Sequence, residues 1–272
     1  MLIVDSQIHI WAQGTPNPAH RQVSSYSAEE VLRDMDAAGV DAAVIHPPGW
    51  DPDSNRVAIE AARKYPNRLA ILGHFPLDKP ESRALVEHWK DQPGMLGLRF
   101  TFMQPQQRSW PSDGTMDWLW LAAAKAGLPV GLAAGAFLPA LAPIAMRHPD
   151  VKLIIDHMGR PAGSKDDAAF VNFAELLTLA QYPNIAVKLS GAPGNSSHPY
   201  PFKNIHPYLQ QIFEAFGPKR CFWGTDITRM PCSWRQCVTM FTEELPWLKG
   251  HDLELVMGRA LCDWIGWNLP AR

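Results

Sequence analysis

Val4-Asp5-Ser6-Gln7-Ile8-His9-Ile10-Trp11 opens the chain with an apolar run that ends in two polar side chains two positions apart, Gln7 and His9. On a β-strand such residues point to one side. The segment therefore predicts a first strand, over 2–5, whose end presents Gln7 and His9 to a common pocket. Working outward, the same alternation recurs: a short run rich in Val, Ile, Leu or Phe, bounded by Pro, Gly, Asn or Asp, then a longer stretch of helical period. Further strands are predicted at 42–46, 69–74, 95–100, 128–132, 152–156, 185–189 and 221–223, each short and apolar as a strand buried on both faces should be. Helices are predicted at 28–38, 54–65, 80–90, 116–126, 138–147, 167–180, 205–216 and 233–245. Ser27, with Glu30 three residues on, carries a capping-box signature, and Gly39 supplies the stop. Eight strand–helix units predict an α/β fold, a (β/α)8 TIM barrel filling residues 1–272 as one domain, with a C-terminal closing helix at 253–265. An open doubly wound sheet shares the alternation, but no Gly-x-Gly-x-x-Gly follows any strand.

The 272 residues are 46% hydrophobic and 19% charged, the composition of a soluble globular enzyme. A net charge of −2 sets up no field that would recruit nucleic acid or an anionic membrane, so neither is expected as a partner. No apolar run reaches the roughly 20 residues that a membrane span needs. Met1 leads straight into a strand-like run with no basic leader, so a cytoplasmic location is expected. Cys221, Cys232, Cys237 and Cys262 show no Cys-x-x-Cys spacing and read as reduced, packed thiols. The expected partner is a small-molecule substrate. A homodimer is the one further association considered, and no apolar stripe marks an interface for it.

In a barrel the reacting groups sit at the C-terminal ends of the strands. The first strand ends in Gln7 and His9, the second in His46-Pro47-Pro48-Gly49-Trp50, the third in His74. The fourth reads Gly97-Leu98-Arg99-Phe100, while the fifth ends in small residues. The sixth gives Asp156-His157-Met158-Gly159-Arg160-Pro161, the seventh Val187-Lys188-Leu189-Ser190-Gly191, and the eighth Phe222-Trp223-Gly224-Thr225-Asp226 followed by Arg229. Charged groups at the ends of buried strands are costly unless paired or functional. His9, His157 and Asp226 come from three independent strands and converge. Trp11, Trp50 and Trp110 fall in loops above the same face, where they could sandwich a ring-shaped substrate. The long loops 102–114 and 191–203 are expected to shape specificity.

Asp-Ser-Gln-Ile-His-Ile-Trp, Gly-Leu-Arg-Phe, Asp-His-Met-Gly-Arg-Pro, Val-Lys-Leu-Ser-Gly and Trp-Gly-Thr-Asp occur in this order, and together they resemble the amidohydrolase superfamily. The resemblance is to its amidohydrolase 2 branch, which includes sugar lactonases, pyrone-dicarboxylate lactonase and, further off, metal-dependent decarboxylases. Val256-Met257-Gly258-Arg259-Ala260-Leu261 is similar to that branch's closing helix. The resemblance implies a barrel hydrolase with His9, His157 and Asp226 at the reacting centre and Asp226 as general base on water. It implies that Arg99 grips a substrate carboxylate or carbonyl; Gln7, Lys188, Arg160, Trp11 and Trp50, by their places at the strand ends and in the loops, are expected around the substrate. The family's first strand reads Asp-x-His-x-His, and here Gln7 replaces the first His. An amide oxygen is a poor ligand for zinc, so no cofactor is expected, with one Zn or Mn ion on His9, His157 and Asp226 as the alternative. Without a metal, Arg99, Lys188 and the histidines would stabilise the oxyanion.

The expected activity is hydrolysis of a small carboxylate-bearing lactone or cyclic ester by Asp-activated water. Two alternatives stand beside it: a decarboxylase of an aromatic or unsaturated acid, and a barrel that only binds a ligand. No Gly-x-Ser-x-Gly elbow supports a serine hydrolase.

Overall fold

The structure is a computed structural model that describes residues 1–161 and 163–269. Eight parallel strands lie side by side in sequence order: β1 (Val4–Ile8), β2 (Ala42–Ile45), β3 (Leu69–Gly73), β4 (Met95–Phe100), β5 (Val130–Leu132), β6 (Leu153–Ile155), β7 (Ile185–Lys188) and β8 (Cys221–Phe222). The seam between β8 and β1 is closed just past the end of β8. Ser6 N–H donates to the Trp223 carbonyl (3.1 Å), and Asp226 N–H donates to the Gln7 carbonyl (2.8 Å). Gly224 makes this approach possible, since a Cβ there would collide with the Ser6 hydroxyl and lie 3.0 Å from Ser6 N. The result is the (β/α)8 barrel that the alternation predicts.

The outer ring is made of α1 (Ala28–Ala38), α2 (Ser54–Lys64), α3 (Ser82–Glu87), α4 (Asp117–Lys125), α5 (Leu138–Arg147), α6 (Phe173–Thr178), α7 (His206–Phe216) and α8 (Trp234–Thr242). The Ser27 capping box forms as expected, and Gly39 takes the left-handed conformation that ends α1. The helices predicted at 80–90 and 167–180 are broken into short α and 3-10 pieces. The closing segment is also interrupted. It comprises α9 (Gly250–Glu254), a π-helical stretch Leu255–Arg259 and α10 (Ala260–Ile265). The π-stretch frees the Val256 carbonyl to accept from Trp223 N–H (2.8 Å). No helix among the described residues is long and apolar enough to cross a membrane.

The strand period sorts side chains into two cores. Val4, Ala42, Val44, Ala70, Leu72, Ile154, Ala186 and Phe222 fill the barrel, plugged from below by Leu255, Leu261 and Ile265 of the closing segment. Ala43, Ile45, Leu69, Ile71, Leu98, Val130, Leu153, Ile155, Ile185 and Val187 face the helices instead. Continuing the inward parity by two residues past the last apolar layer gives His46, His74, Arg99, Asp156 and Lys188, a polar layer on top of an apolar one. Strand β1 joins this layer through an irregularity in its pairing with β2 between Asp5 and Ile8. It shifts the parity so that Val4 and Gln7, three apart, both face the interior. β1 thus runs three residues further than the predicted 2–5, and Gln7 lies within the strand.

Candidate active site

The centre of the polar layer is Lys188, whose side chain is wholly enclosed. Its Nζ donates to Gln7 Oε1 (2.9 Å), lies 2.9 Å from His46 Nε2 and ion-pairs with Asp156 Oδ1 at 2.9 Å. The other Asp156 oxygen accepts from Arg99 Nε (2.9 Å). Burial alone would push the Asp156 carboxyl up, but Lys188 and Arg99 outweigh it and hold it well below the usual carboxylate range. Burial lowers the Lys188 ammonium, and Asp156 opposes that shift. Gln7 and Lys188, which the sequence places against substrate, present no surface to solvent. They form the floor beneath the site.

Above this floor stands Asp226, 2% exposed and in the left-handed conformation (φ 55°) immediately after the strand-eight turn. Its Oδ1 lies 3.3 Å from His9 Nε2 and 4.0 Å from His20 Nδ1, and it accepts no hydrogen bond among the described residues. Its Oδ2 lies 3.4 Å from Arg229 Nη1 and 3.7 Å from His157 Nε2. Burial raises this carboxyl, and the nearby His9, His157 and His20 more than reverse the shift, so Asp226 stays ionised at neutral pH. Each histidine is held at Nδ1. His9 Nδ1 donates to the His46 carbonyl (2.6 Å), with Nε2 on the Asp226 side of the ring. His157 Nδ1 meets the Ser190 hydroxyl (2.9 Å), and His20 Nδ1 meets the Thr228 hydroxyl (2.8 Å).

The convergence of His9, His157 and Asp226 is therefore present, and a fourth residue joins it. His20 comes from the loop between β1 and α1, with its ring 5.1 Å from that of His9 and 4.8 Å from Trp50. That loop has no hydrophobic period, so nothing in the sequence pointed to it. The ligand atoms of His9, His20 and Asp226 all lie within 4.8 Å of one another. Trp11 is enclosed, its Nε1 donating to the Val23 carbonyl and its ring packed on Tyr26 and Trp50. It supports Trp50 and has no surface of its own to offer a substrate. Trp50 is partly exposed and lies 5.9 Å from His9. Trp110 is half-buried against the outer core. Arg160 donates to the carbonyl of Pro161 and is lowered to about 10, first by burial and then by Arg229.

A cavity of about 420 Å³ opens over the ends of β2, β3 and β4, lined by Asn55, His74, Phe75, Arg99, Phe102 and Gln107 among others. His9, His157 and Asp226 are not on its wall; Arg99 is the link. Its Nε is tied to Asp156 at the barrel centre while the rest of the guanidinium, 16% exposed as a side chain, lines the cavity.

Enclosure also sets an acid limit. His157 is lowered to about 3, and His20 and His74 to about 4, in each case first by burial; His46, equally enclosed, sits well below its ordinary value. The unfolded chain takes up these protons near pH 6.5 and the folded one does not, so stability is full above that pH and falls as pH drops towards 4. Each proton contributes about 1.4 kcal/mol per pH unit. His46 and His157 alone thus give a slope near 3 kcal/mol per unit at pH 5. Urea unfolding at a series of pH values should show this slope; a flat profile between pH 6.5 and 4.5 would contradict it.

Barrel, strand-end carboxylate and imidazole cluster together define a hydrolase-type centre of the kind found at the C-terminal face of TIM barrels. The sequence matches the amidohydrolase family over residues 4–269, and the chain belongs to that family. It is 26% identical to an L-fucono-1,5-lactonase of Burkholderia ambifaria over 224 residues, covering 79% of this chain and 73% of that protein. It is also 26% identical to a 4-sulfomuconolactone hydrolase of Hydrogenophaga intermedia over 243 residues, 82% of this chain and 73% of the relative. The fold superposes on a zinc-bound amidohydrolase from Burkholderia multivorans with a TM-score of 0.83, at 21% identity and covering 99% and 100% of the two chains.

Proposed function

We propose that this protein hydrolyses a small lactone bearing a carboxylate, with Asp226 as general base on the attacking water. The observation that carries the reading is the Asp226 carboxylate itself: enclosed, held ionised by the imidazoles around it, with Arg99 an anchoring fork at the same end of the barrel. Two relatives that act on lactones, the fuconolactonase and the sulfomuconolactone hydrolase, support the same bond class.

In this reaction Asp226 takes a proton from water as the water oxygen attacks the lactone carbonyl. The ring C–O bond then breaks, and the proton passes from Asp226 to the departing ring oxygen. One water is consumed and an open hydroxy acid, or its tautomer, leaves. His157, held at Nδ1 by Ser190, offers Nε2 beside Asp226 Oδ2 and steadies the proton there. Arg229 and Arg160 contribute positive field as charge develops on the carbonyl oxygen. Arg99 fixes the substrate carboxylate over the apolar cavity wall.

The residues also fit a metal. Asp226 Oδ1 is enclosed, with His9 Nε2 at 3.3 Å and His20 Nδ1 at 4.0 Å. His9 and Asp226 would hold one zinc or manganese ion with an imidazole completing the set. Such an ion supplies a lowered water pKa and a polarised carbonyl when bound. The four cysteines are reduced thiols, Cys232 and Cys237 with their sulfurs 3.6 Å apart but unbonded, which suits a reducing cytoplasm.

A panel of lactones with and without a carboxylate, followed by acid release in a pH-stat, tests the reading. Arg99→Gln should raise KM for the carboxylate-bearing members about 100-fold, the worth of two charge-assisted hydrogen bonds, and change the neutral members little. Release of CO₂ from carboxylic acids without lactone cleavage would replace hydrolysis by decarboxylation.

A further inference from the structure

We propose that this centre holds a single divalent cation through His9, His20 and Asp226, with His20 supplying the imidazole that Gln7 no longer provides. The proposal rests on the reading of the Asp226 cluster as the reacting centre and assigns its third ligand.

His9, His20 and Asp226 bring their ligand atoms within 4.8 Å of one another. His9 Nδ1 donates to the His46 carbonyl, and its Nε2 lies 3.3 Å from Asp226 Oδ1. An enclosed carboxylate oxygen this close to an imidazole nitrogen is satisfied by a shared proton or by a cation. His20 Nδ1 stands 4.0 Å from the same oxygen. Tetrahedral zinc ligands, each about 2.1 Å from the ion, lie roughly 3.4 Å apart. The three donors therefore need only a modest contraction to close. Hydrogen bonding behind His9 is what a ligating imidazole requires to fix its tautomer. The Thr228 hydroxyl holds His20 turned to Asp226, and it is the group an ion would displace.

Two other candidates for the third ligand are disfavoured by charge. Gln7 Oε1 is taken by the Lys188 ammonium, so a second cation there would meet a fixed positive charge at 2.9 Å from the same oxygen. His157 faces the opposite carboxylate oxygen, Oδ2, which already has the Arg229 guanidinium at 3.4 Å. The carboxylate is thus divided: Oδ1 towards His9 and His20 for the cation, Oδ2 towards His157 and Arg229 for the proton.

The test is calorimetric titration of Zn²⁺ into chelator-treated protein, with Co²⁺ visible absorption as a second readout of the ligand set. Wild type should take up one ion per chain. His20→Ala should weaken zinc binding at least about 100-fold and alter the Co²⁺ spectrum. His157→Ala should change the affinity less than about fivefold. Circular dichroism of the apo proteins checks folding, and His20→Gln replaces the Ala variant if that one fails to fold. Equal affinity in wild type and the His20 variant would overturn the proposal, as would an equal loss in His157→Ala. A wild type that takes up no zinc would overturn it too, yet leave lactone hydrolysis through Asp226 standing.

Discussion

Asp226→Asn is expected to lower kcat for lactone hydrolysis by about 10³–10⁴-fold while the protein stays folded. The substitution keeps the shape and removes the carboxylate that takes the proton from water and returns it to the ring oxygen. An amide cannot be the base, however well it is placed. The backbone tolerates the change, because Asp226 sits at φ 55° and Asn is among the few residues that adopt that region readily. The backbone bond from residue 226 N–H to the Gln7 carbonyl does not depend on the side chain. Single-turnover hydrolysis with a carboxylate-bearing lactone gives the rate, and thermal unfolding gives the control. A variant with a rate within tenfold of wild type would remove Asp226 from the chemistry.

Lys188→Met is expected to cost about 3–5 kcal/mol of folding stability, the largest effect of any single change in the floor. The methionine fills most of the volume but supplies no donor. Gln7 Oε1 loses its partner, and Asp156, fully enclosed, keeps only Arg99 as counter-charge. Removing the negative partner as well, in Lys188→Met with Asp156→Asn, should recover part of the loss, because an unpaired enclosed charge is costlier than none. Urea unfolding of the three variants checks both statements. A loss below about 1 kcal/mol in the single variant would mean that water or a local shift already satisfies Asp156.

Most of the architecture was legible because it is carried by period. The apolar runs alternate between barrel and helix faces, and the first inward position beyond each run is the polar layer. This rule finds His46, His74, Arg99, Asp156 and Lys188 without any knowledge of loops. It fails on depth: Lys188, Gln7 and Trp11 are inward or upward as expected, yet packing closes over them, and no pattern in one strand records what its neighbours cover. It fails also on β1, where an irregular pairing, invisible in the sequence, brings Gln7 and Val4 to one interior. His20 lay wholly outside its reach. It reaches Asp226 from a loop whose course is set by the Trp11–Tyr26 bridge and the His20–Thr228 contact, between residues far apart in the chain.

The bare end of β5 has a cause in its neighbour. At Gly135, just beyond that strand, a Cβ would run into the carbonyl of Arg160, where the chain leaves β6 through left-handed turns at His157, Met158 and Gly159. The tight turn that delivers His157 to Asp226 thus occupies the room a side chain at 135 would need. Any lineage, or any engineer, wishing to add a ligand from this position would first have to rebuild the turn and give up His157 in its present place. A side chain at position 135 and the present course of the chain at Arg160 exclude each other.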